Sequence, residues 1–446
     1  MVVVGRQKKT KICNREEEDL ISKLPEPLIS EILCRLSTED AVRTSLFSTR
    51  WRNLWRWIPD LDLSPDAFPN FDAFVSFVER FFVYHSDRDL WIRKLRLRFG
   101  YRHYLVMYDL ASWVDAVTKC RIQHLDVSCF RNHQNQILIP LCLYTCETLV
   151  HLRLSNVSMC TAEFVSLPCL KFMCLAHIKY PNETTLQKLI SGSPILEDLT
   201  IIRYSDDEYK ATVLQVRSHT LKRVYINEFT QVVIDAPLLQ CLKATGSSTK
   251  NFHIVHLGSS AKLDVGYFGH MSSSMILDIM TDMSRFRELI IGNAIRKEIC
   301  KYSKSVLPQF RVLSRLNVKF SKSGIELLPL FLESCPKLES LVMELVKERL
   351  KHGKKEKETK VMFSTVPRCL VSSLKSMEWK RLIPGYVGET ELVRYFLKNS
   401  KILEKLRVDV YYTEKTKCAF LQELLKMPRC SSVCEIHCSV IPKKKL

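Results

Sequence analysis

Four side chains near the carboxyl terminus are of the types that bind zinc. Cys430, Cys434, His437 and Cys438 lie within nine residues of one another, and thiolates together with imidazole are common zinc ligands. The spacing argues against a metal site, because side chains alternate along a strand and His437 would face away from Cys434 and Cys438. We therefore expect buried thiols here and no bound metal.

Motifs that would hold a nucleotide are missing from the sequence. The 446 residues include only 12 glycines, and neither G-x-G-x-x-G nor G-x-x-x-x-G-K-[ST] occurs, so the usual phosphate-binding loops are not available. The 17 cysteines are expected to be reduced thiols, because no export signal is found. An enzyme using one of them would need a thiol of depressed pKa, and no motif indicates one. We expect no cofactor and no enzymatic activity.

The charge balance is strongly basic. Lys and Arg total 67 against 48 Asp and Glu, which gives a formal net charge of +19 and would suit a polyanionic partner without identifying one. No run alternates aromatic residues with Gly and Arg as nucleic-acid modules do, so nucleic acid is the less favoured partner. No window approaches the about 18 unbroken apolar residues of a membrane span, and the initial apolar run is too short for a secretory signal. We expect a cytoplasmic or nuclear protein, or one found in both places.

A short apolar pattern recurs along most of the chain. Each copy consists of an apolar residue, two other residues, a second apolar residue, one other residue and a third apolar residue. Most copies begin 18 to 30 residues after the previous one. The alternation predicts strands, and helical patterns precede several copies. Such units stack into a solenoid with a parallel sheet inside and helices outside, typical of irregular leucine-rich repeats. The copies begin at Ile92, Ile122, Leu149, Leu170, Leu196, Leu221, Leu239, Phe286, Leu313, Leu338, Leu374, Leu403 and Val433.

Residues 19–56 form a different, apolar-rich segment that predicts three short helices. The first follows Pro25 and Pro27, the second begins with Thr38 as its N-cap, and the third begins at Ser48 and carries Trp51, Leu54 and Trp55. A segment of this size cannot bury all its apolar side chains alone, so a protein partner is implied.

This amino-terminal segment resembles the plant F-box. The matching runs are Ile21-Ser22-Lys23-Leu24-Pro25-Glu26, Ile29-Ser30-Glu31-Ile32-Leu33, Ala41-Val42-Arg43-Thr44-Ser45 and Ser48-Thr49-Arg50-Trp51-Arg52-Asn53-Leu54-Trp55. The resemblance implies docking on a Skp-type adaptor and, through it, a cullin-RING ubiquitin ligase. It also implies which residues form or support the adaptor-facing surface: Leu24, Pro25, Ile29, Ile32, Leu33, Trp51 and Leu54. Directly after Trp55, the apolar pattern is repeated by Ile58, Leu61 and Leu63. We therefore expect a strand where the F-box ends, and a rigid joint between the F-box and the solenoid.

The carboxy-terminal part resembles the FBD domain that follows leucine-rich repeats in many plant F-box proteins. The matching runs are VPRCLVSSLKSMEWKR from Val366 and GETELVRYFLKNSKILEKLRV, although Arg381-Leu382-Ile383-Pro384 replaces the usual acidic stretch. From the residues alone, this unit caps the solenoid.

The predicted fold class is α/β, with a three-helix F-box, an irregular leucine-rich-repeat solenoid and an FBD-type unit. The expected divisions are a flexible terminus at 1–16, the F-box at 17–64, the repeats at 65–345, a charged loop at 346–362, the FBD-like domain at 363–415, and a terminal repeat with a basic tail at 416–446.

The resemblance implies a substrate-recognition subunit of an SCF-type ligase that recruits an unknown protein target. The alternative is a nucleic-acid-binding or non-ligase scaffold solenoid. On the concave face of the repeats, Arg96, Arg98, Asp126 and Arg153 are candidate target-binding residues. Either the aspartate only neutralises its neighbours in a ladder, or three arginines against one aspartate leave a positive patch for an acidic segment of the target.

Overall fold

The computed structural model describes most of the chain. The predictions for the flexible terminus at 1–16, the charged loop at 346–362 and the basic tail lie outside the described residues. Within the described part, no helix is long and apolar enough to cross a membrane. The described residues are 24–86, 91–100, 110–130, 137–204, 213–229, 231–246, 251–258, 261–268, 280–291, 307–320, 325, 327–345, 363, 365–382, 387–410 and 414–440.

The described residues contain twenty strands. They are β1 Asp60–Leu63, β2 Lys94–Arg98, β3 His124–Ser128, β4 Leu138–Ile139, β5 His151–Ser155, β6 Ser158–Met159, β7 Phe172–Ala176, β8 Asp198–Ile202, β9 Val213–Arg217, β10 Arg223–Asn227, β11 Gln231–Ala236, β12 Cys241–Gly246, β13 Asn251–Leu257, β14 Lys262–Phe268, β15 Glu288–Ile291, β16 Arg315–Phe320, β17 Ser340–Leu345, β18 Ser376–Leu382, β19 Lys405–Val410 and β20 Glu435–Val440.

Fifteen of these strands form one parallel sheet, the main sheet, which runs from β1 to β20 in chain order. The repeated pattern explains this arrangement: Leu95 and Leu97 of β2 are fully buried, and Leu95 lies beside Leu125 of β3, which in turn lies beside Leu152 of β5. Each strand thereby turns two apolar side chains into a continuous core and the alternating ones away from it. We call the side that points away from the core the open face.

Helices cover the core side at both ends of the main sheet. The helical patterns that precede the copies at Ile92, Leu196 and Leu338 form helices, as expected, at Phe71–Ser86, Thr184–Ser191 and Leu328–Ser334. The helices are α1 Glu26–Cys34, α2 Thr38–Arg43, α3 Phe71–Ser86, α4 Leu110–Lys119, α5 Thr184–Ser191, α6 Leu328–Ser334, α7 Arg368–Ser372, α8 Val387–Asn399 and α9 Glu414–Lys426, with 3-10 helices at Thr44–Leu46, Leu54–Trp57, Pro65–Ala67 and Leu141–Thr145.

The middle of the outer layer is built from strands instead of helices. A second parallel sheet, in the order β13, β11, β9, lies between the repeats there. Its sequences VLQVR and QVVIDA alternate in burial, and β-branched residues with a period of two favour strands over helices. The α/β fold class is confirmed, and the outer layer differs from the expected helices in this region.

Two details of the amino-terminal module differ from the sequence prediction. The third segment is not α-helical: Trp51 and Leu54 donate their amides to carbonyls three residues back, the pattern of 3-10 turns. The N-cap of α2 is Ser37, whose hydroxyl accepts from the Asp40 amide at 3.1 Å, rather than Thr38. Thr38 has another role, because its hydroxyl accepts the Asp62 amide of β1 at 2.8 Å.

Candidate protein-binding surfaces

The amino-terminal module divides its apolar side chains between a small core and its surface. The core consists of Ile29, Leu33, Ala41, Trp51 and Ile58, none more than 5% exposed. Ile29 and Leu33 lie four residues apart on α1, so they share one face of that helix. Two α1 residues and later segments therefore close a core without help from the repeats.

Five other apolar side chains of the module, between residues 28 and 47, are exposed to solvent. Leu46 is 85% exposed and Phe47 is 67% exposed, whereas Leu28, Ile32 and Leu36 are 52%, 39% and 39% exposed. The last three follow one another at intervals of four residues and form a stripe along and just beyond α1. We call these five residues the exposed apolar set. So many large apolar side chains in solvent within about twenty residues indicate a protein-binding surface.

The seven predicted adaptor residues divide in the same way. Ile29, Leu33 and Trp51 are buried, so they support the surface from beneath. Leu24 and Leu54 are half-buried against the same core. Pro25 and Ile32 alone among the seven are exposed. Their role in adaptor binding remains a prediction.

Four members of the exposed apolar set were not among the predicted site residues: Leu28, Leu36, Leu46 and Phe47. A signal for two of them exists in the sequence, because Leu28, Ile32 and Leu36 recur every four residues. Such a spacing marks one helix side, but it does not say whether that side faces a core or a partner.

The module is attached directly to the main sheet. Besides the Thr38 hydrogen bond to β1, the Trp55 ring stacks on Phe77 of α3 with centroids 5.5 Å apart. Trp55 also packs against the small core of the module, so one side chain joins two cores. The strand predicted to follow the F-box is present as β1, beginning at Asp60. The rigidity of this joint remains a prediction.

The open face of the first three strands carries an alternating ladder of charges. Arg96 donates from Nε to Asp126 at 3.0 Å and from a terminal nitrogen to Asp62 at 3.3 Å, and Arg98 donates to Asp62 at 2.9 Å. The predicted patch of three arginines against one aspartate does not include Asp62. The structure places it in the ladder because β1 pairs with β2, so two arginines are neutralised.

Arg153 is the exception in this group. It lies beside Asp126 in the register of β3 and β5 and is exposed, yet it makes no ion pair with any residue that the structure describes. Asp126 is directed towards Arg96 instead. Of the four predicted target-binding residues, Arg96, Arg98 and Asp126 therefore form a ladder, and Arg153 retains a guanidinium available to a partner.

A row of stacked rings borders this region at the amino ends of the strands. The imidazoles of His124 and His151 lie 4.5 Å apart, and His151 stacks on Phe172 at 4.0 Å. Burial lowers the pKa of both histidines below 6.5, because desolvation disfavours the charged form. Both rings are therefore neutral at pH 7 and stack without charge repulsion.

The cysteine and histidine cluster at the carboxyl terminus is dispersed. Cys434 is buried, Cys430 is exposed, and Cys438 lies beside Val408 of β19 on the core side of the sheet. His437 is placed on the opposite side of β20, as the alternation predicted. Among the described residues, no group of three or more His, Cys, Asp or Glu side chains is arranged to hold a metal ion.

Comparisons with known proteins match the chain in three successive parts. An F-box domain model matches residues 21–62, and an FBD model matches residues 363–408. Between them, the model described as "FBD-associated F-box protein At5g56370, LRR repeats" matches residues 110–343. F-box/FBD/LRR-repeat protein At1g51370 of Arabidopsis thaliana is 58% identical over 443 residues, covering 97% of this chain and 99% of that protein. The chain belongs to the F-box/FBD/LRR-repeat family.

Two further Arabidopsis thaliana relatives match over nearly their full length. F-box/FBD/LRR-repeat protein At5g53840 is 45% identical, covering 96% of this chain and 98% of that protein. Putative F-box/FBD/LRR-repeat protein At2g05300 is 41% identical, covering 94% of this chain and 97% of that protein. The resemblances to the F-box, to leucine-rich repeats and to the FBD domain are thus confirmed. F-box domains bind Skp-type adaptors, and the exposed apolar set lies within the F-box match.

Proposed function

We propose that this F-box/FBD/LRR-repeat protein is the substrate-recognition subunit of an SCF-type ubiquitin ligase. The observation that carries the proposal is the exposed apolar set, which lies within the F-box match while the module's own core is already complete. A surface of this kind gains free energy when a partner covers it, at roughly 25 cal/mol per Å² of apolar area. The partner proposed for it is a Skp-type adaptor, which joins the chain to a cullin-RING ligase.

The protein would make or break no bond itself. Its contribution is proximity: the repeats hold a protein target while the F-box holds the adaptor, which raises the effective concentration of the target lysine near activated ubiquitin. The direct attachment of the F-box to β1 through Thr38 and Trp55 supports this role, because a fixed joint keeps the target at a defined distance from the adaptor. We place this activity in the cytoplasm, the nucleus or both.

Nucleic-acid binding has weaker support than the net charge suggests. On the open face, several cations are paired with carboxylates, such as Arg223 with Asp198 and Lys262 with Glu288 at 2.6 Å. A phosphate backbone is bound by several unpaired Lys and Arg side chains, each releasing counterions. Paired cations release few, so a protein target is the better proposal.

Affinity purification of the full-length chain from plant cells, followed by mass spectrometry, tests the proposal. The wild type is compared with Leu46→Asp/Phe47→Asp, which places charges in the exposed apolar set, and with Leu238→Asp as a matched control, since Leu238 is 56% exposed outside the F-box. We expect a Skp-type adaptor and a cullin with the wild type and the control, and neither with the double variant. Recovery of neither protein with the wild type contradicts the proposal and leaves the scaffold alternative.

A further inference from the structure

Small, neutral side chains occupy the open face in the middle of the amino-terminal repeats. On β7 these are Cys174 and Ala176, and Thr200 of β8 lies beside Cys174 in the parallel register. Long charged side chains occur on both sides, in the Arg96 ladder towards β1 and in the Arg223 pair on β10. Cys174, Ala176 and Thr200 therefore form the floor of a shallow trough, bounded by Ile202 beside Ala176 and by Tyr225 beside Thr200.

Aromatic rings lie at both ends of this trough. The stack that ends in Phe172 borders the amino ends of the strands. At the carboxyl ends, His177 stacks on Tyr204 with centroids 3.6 Å apart, and the Tyr204 hydroxyl donates to Asn156 Oδ1 at 2.8 Å. Phe172 and His177 are five residues apart, which corresponds to about 16 Å along a strand. That length accommodates about five residues of extended peptide.

A cation lies along the side of the trough. Arg153 lies beside Cys174 in the register of β5 and β7, and, among the described residues, no carboxylate pairs with it. A guanidinium beside an apolar floor binds a carboxylate through two parallel hydrogen bonds, with more strength than in open water. The trough therefore combines one positive charge with an apolar floor and ring edges.

We propose that the trough binds an extended acidic peptide segment of the target. A carboxylate of the segment pairs with Arg153, and a neighbouring apolar side chain covers Cys174 and Ala176 between the two ring stacks. This inference rests on the proposed function and deepens it by naming the chemistry of the target. A nucleic acid fits less well, because a phosphate backbone is bound by several unpaired cations, and among the described residues the trough offers only Arg153.

A displayed library of random twelve-residue peptides, panned on the full-length chain, tests the proposal. We expect enriched peptides to combine Asp or Glu with a nearby apolar residue. The dissociation constant of a synthetic enriched peptide is then measured by fluorescence polarisation. Arg153→Glu should raise it about tenfold or more, as expected for a charge reversal at a central contact. Ala176→Leu, which partly fills the trough, should also raise it.

Two controls separate the trough from general effects of charge or folding. Arg407→Glu reverses an exposed charge on the open face of β19, near Asp409, far from β7 and β8 in the strand order, and should change peptide affinity less than about twofold. Arg153→Lys keeps the charge and should lose only part of the affinity, because lysine lacks the planar fork. Thermal unfolding of each variant shows that the fold is retained; Arg153 is exposed, so its variants should match the wild type.

Three outcomes would overturn the proposal: no enrichment, enriched peptides without acidic residues, or unchanged affinity in Arg153→Glu. Salt-sensitive binding of a single-stranded RNA oligonucleotide that Arg153→Glu abolishes would assign the surface to nucleic acid and overturn it as well. Adaptor binding is measured separately on the same samples. Loss of the adaptor interaction with retained peptide binding would refute the receptor role and leave the trough standing, and the reverse result would refute the trough alone.

Discussion

Ile29 and Ile32 lie on different sides of α1, so replacement by alanine should reduce stability at the first position and adaptor binding at the second. Ile29 is fully buried in the small core, whereas Ile32 is 39% exposed. Ile29→Ala should destabilise the F-box by about 2–5 kcal/mol, the cost of deleting a buried isoleucine side chain. Leu28→Ala/Ile32→Ala should change the stability by about 0.5 kcal/mol or less and act on adaptor binding instead.

The expected loss of adaptor affinity follows from the exposed fractions. Leu28 and Ile32 are 52% and 39% exposed, which together make about nine-tenths of one fully exposed aliphatic side chain. Complete burial of such a side chain contributes about 1.5–3 kcal/mol. The double variant should therefore lose about 1.4–2.7 kcal/mol of binding free energy. This corresponds to a dissociation constant about 10- to 90-fold higher.

Isothermal titration of the full-length chain with a purified Skp-type adaptor measures the affinity, and thermal unfolding measures the stability. Ile29→Ala is the matched control, because it removes the same groups from the buried side of the same helix. A double variant that keeps native stability and binds the adaptor within about twofold of the wild type would refute the assignment of this surface.

Three further predictions concern the joint, the pH response and the thiols. Thr38→Val removes the acceptor of the Asp62 amide, which should cost about 1 kcal/mol and make limited proteolysis release the F-box faster; an unchanged cleavage rate contradicts this. Burial lowers the pKa of His85, so the stability that neutral His85 contributes is present above pH 6.5 and is lost as pH falls through the folded-state pKa. The His85→Gln variant should therefore show a smaller decrease in Tm on acidification than the wild type. An equal decrease in both proteins argues against this role of His85. Burial raises the pKa of Cys369 to about 12, so iodoacetamide should label exposed Cys169 in the native protein and spare Cys369, as mass spectrometry can verify.

The main sheet was predictable because its signal is local. Each copy of the apolar pattern places two side chains such as Leu95 and Leu97 on one side of a strand, and burial of that side forces neighbouring copies into register. The second sheet was not predictable in this way, because β9 and β11 show the same alternating burial as the strands of the main sheet, and only tertiary packing assigns the strands to two different sheets.

The candidate surfaces depended more on non-local contacts. In α1, apolar residues occur on both sides of the helix, and only the positions of Trp51 and Ile58 decide that Ile29 is buried and Leu28 exposed. Similarly, Asp62 joins the charge ladder through a strand pairing that brings it to Arg96, 34 residues away. The sequence located both regions, but tertiary packing determined which side chains a partner can reach.

The most direct test of the account is whether the full-length chain forms a complex with a Skp-type adaptor. Size-exclusion chromatography with light scattering, at roughly 10 μM of each purified protein, a concentration well above a submicromolar dissociation constant, would measure the mass of the complex. We predict a one-to-one complex for the wild type and separate proteins for Leu46→Asp/Phe47→Asp. Wild-type chain that is folded and elutes apart from the adaptor would contradict the account.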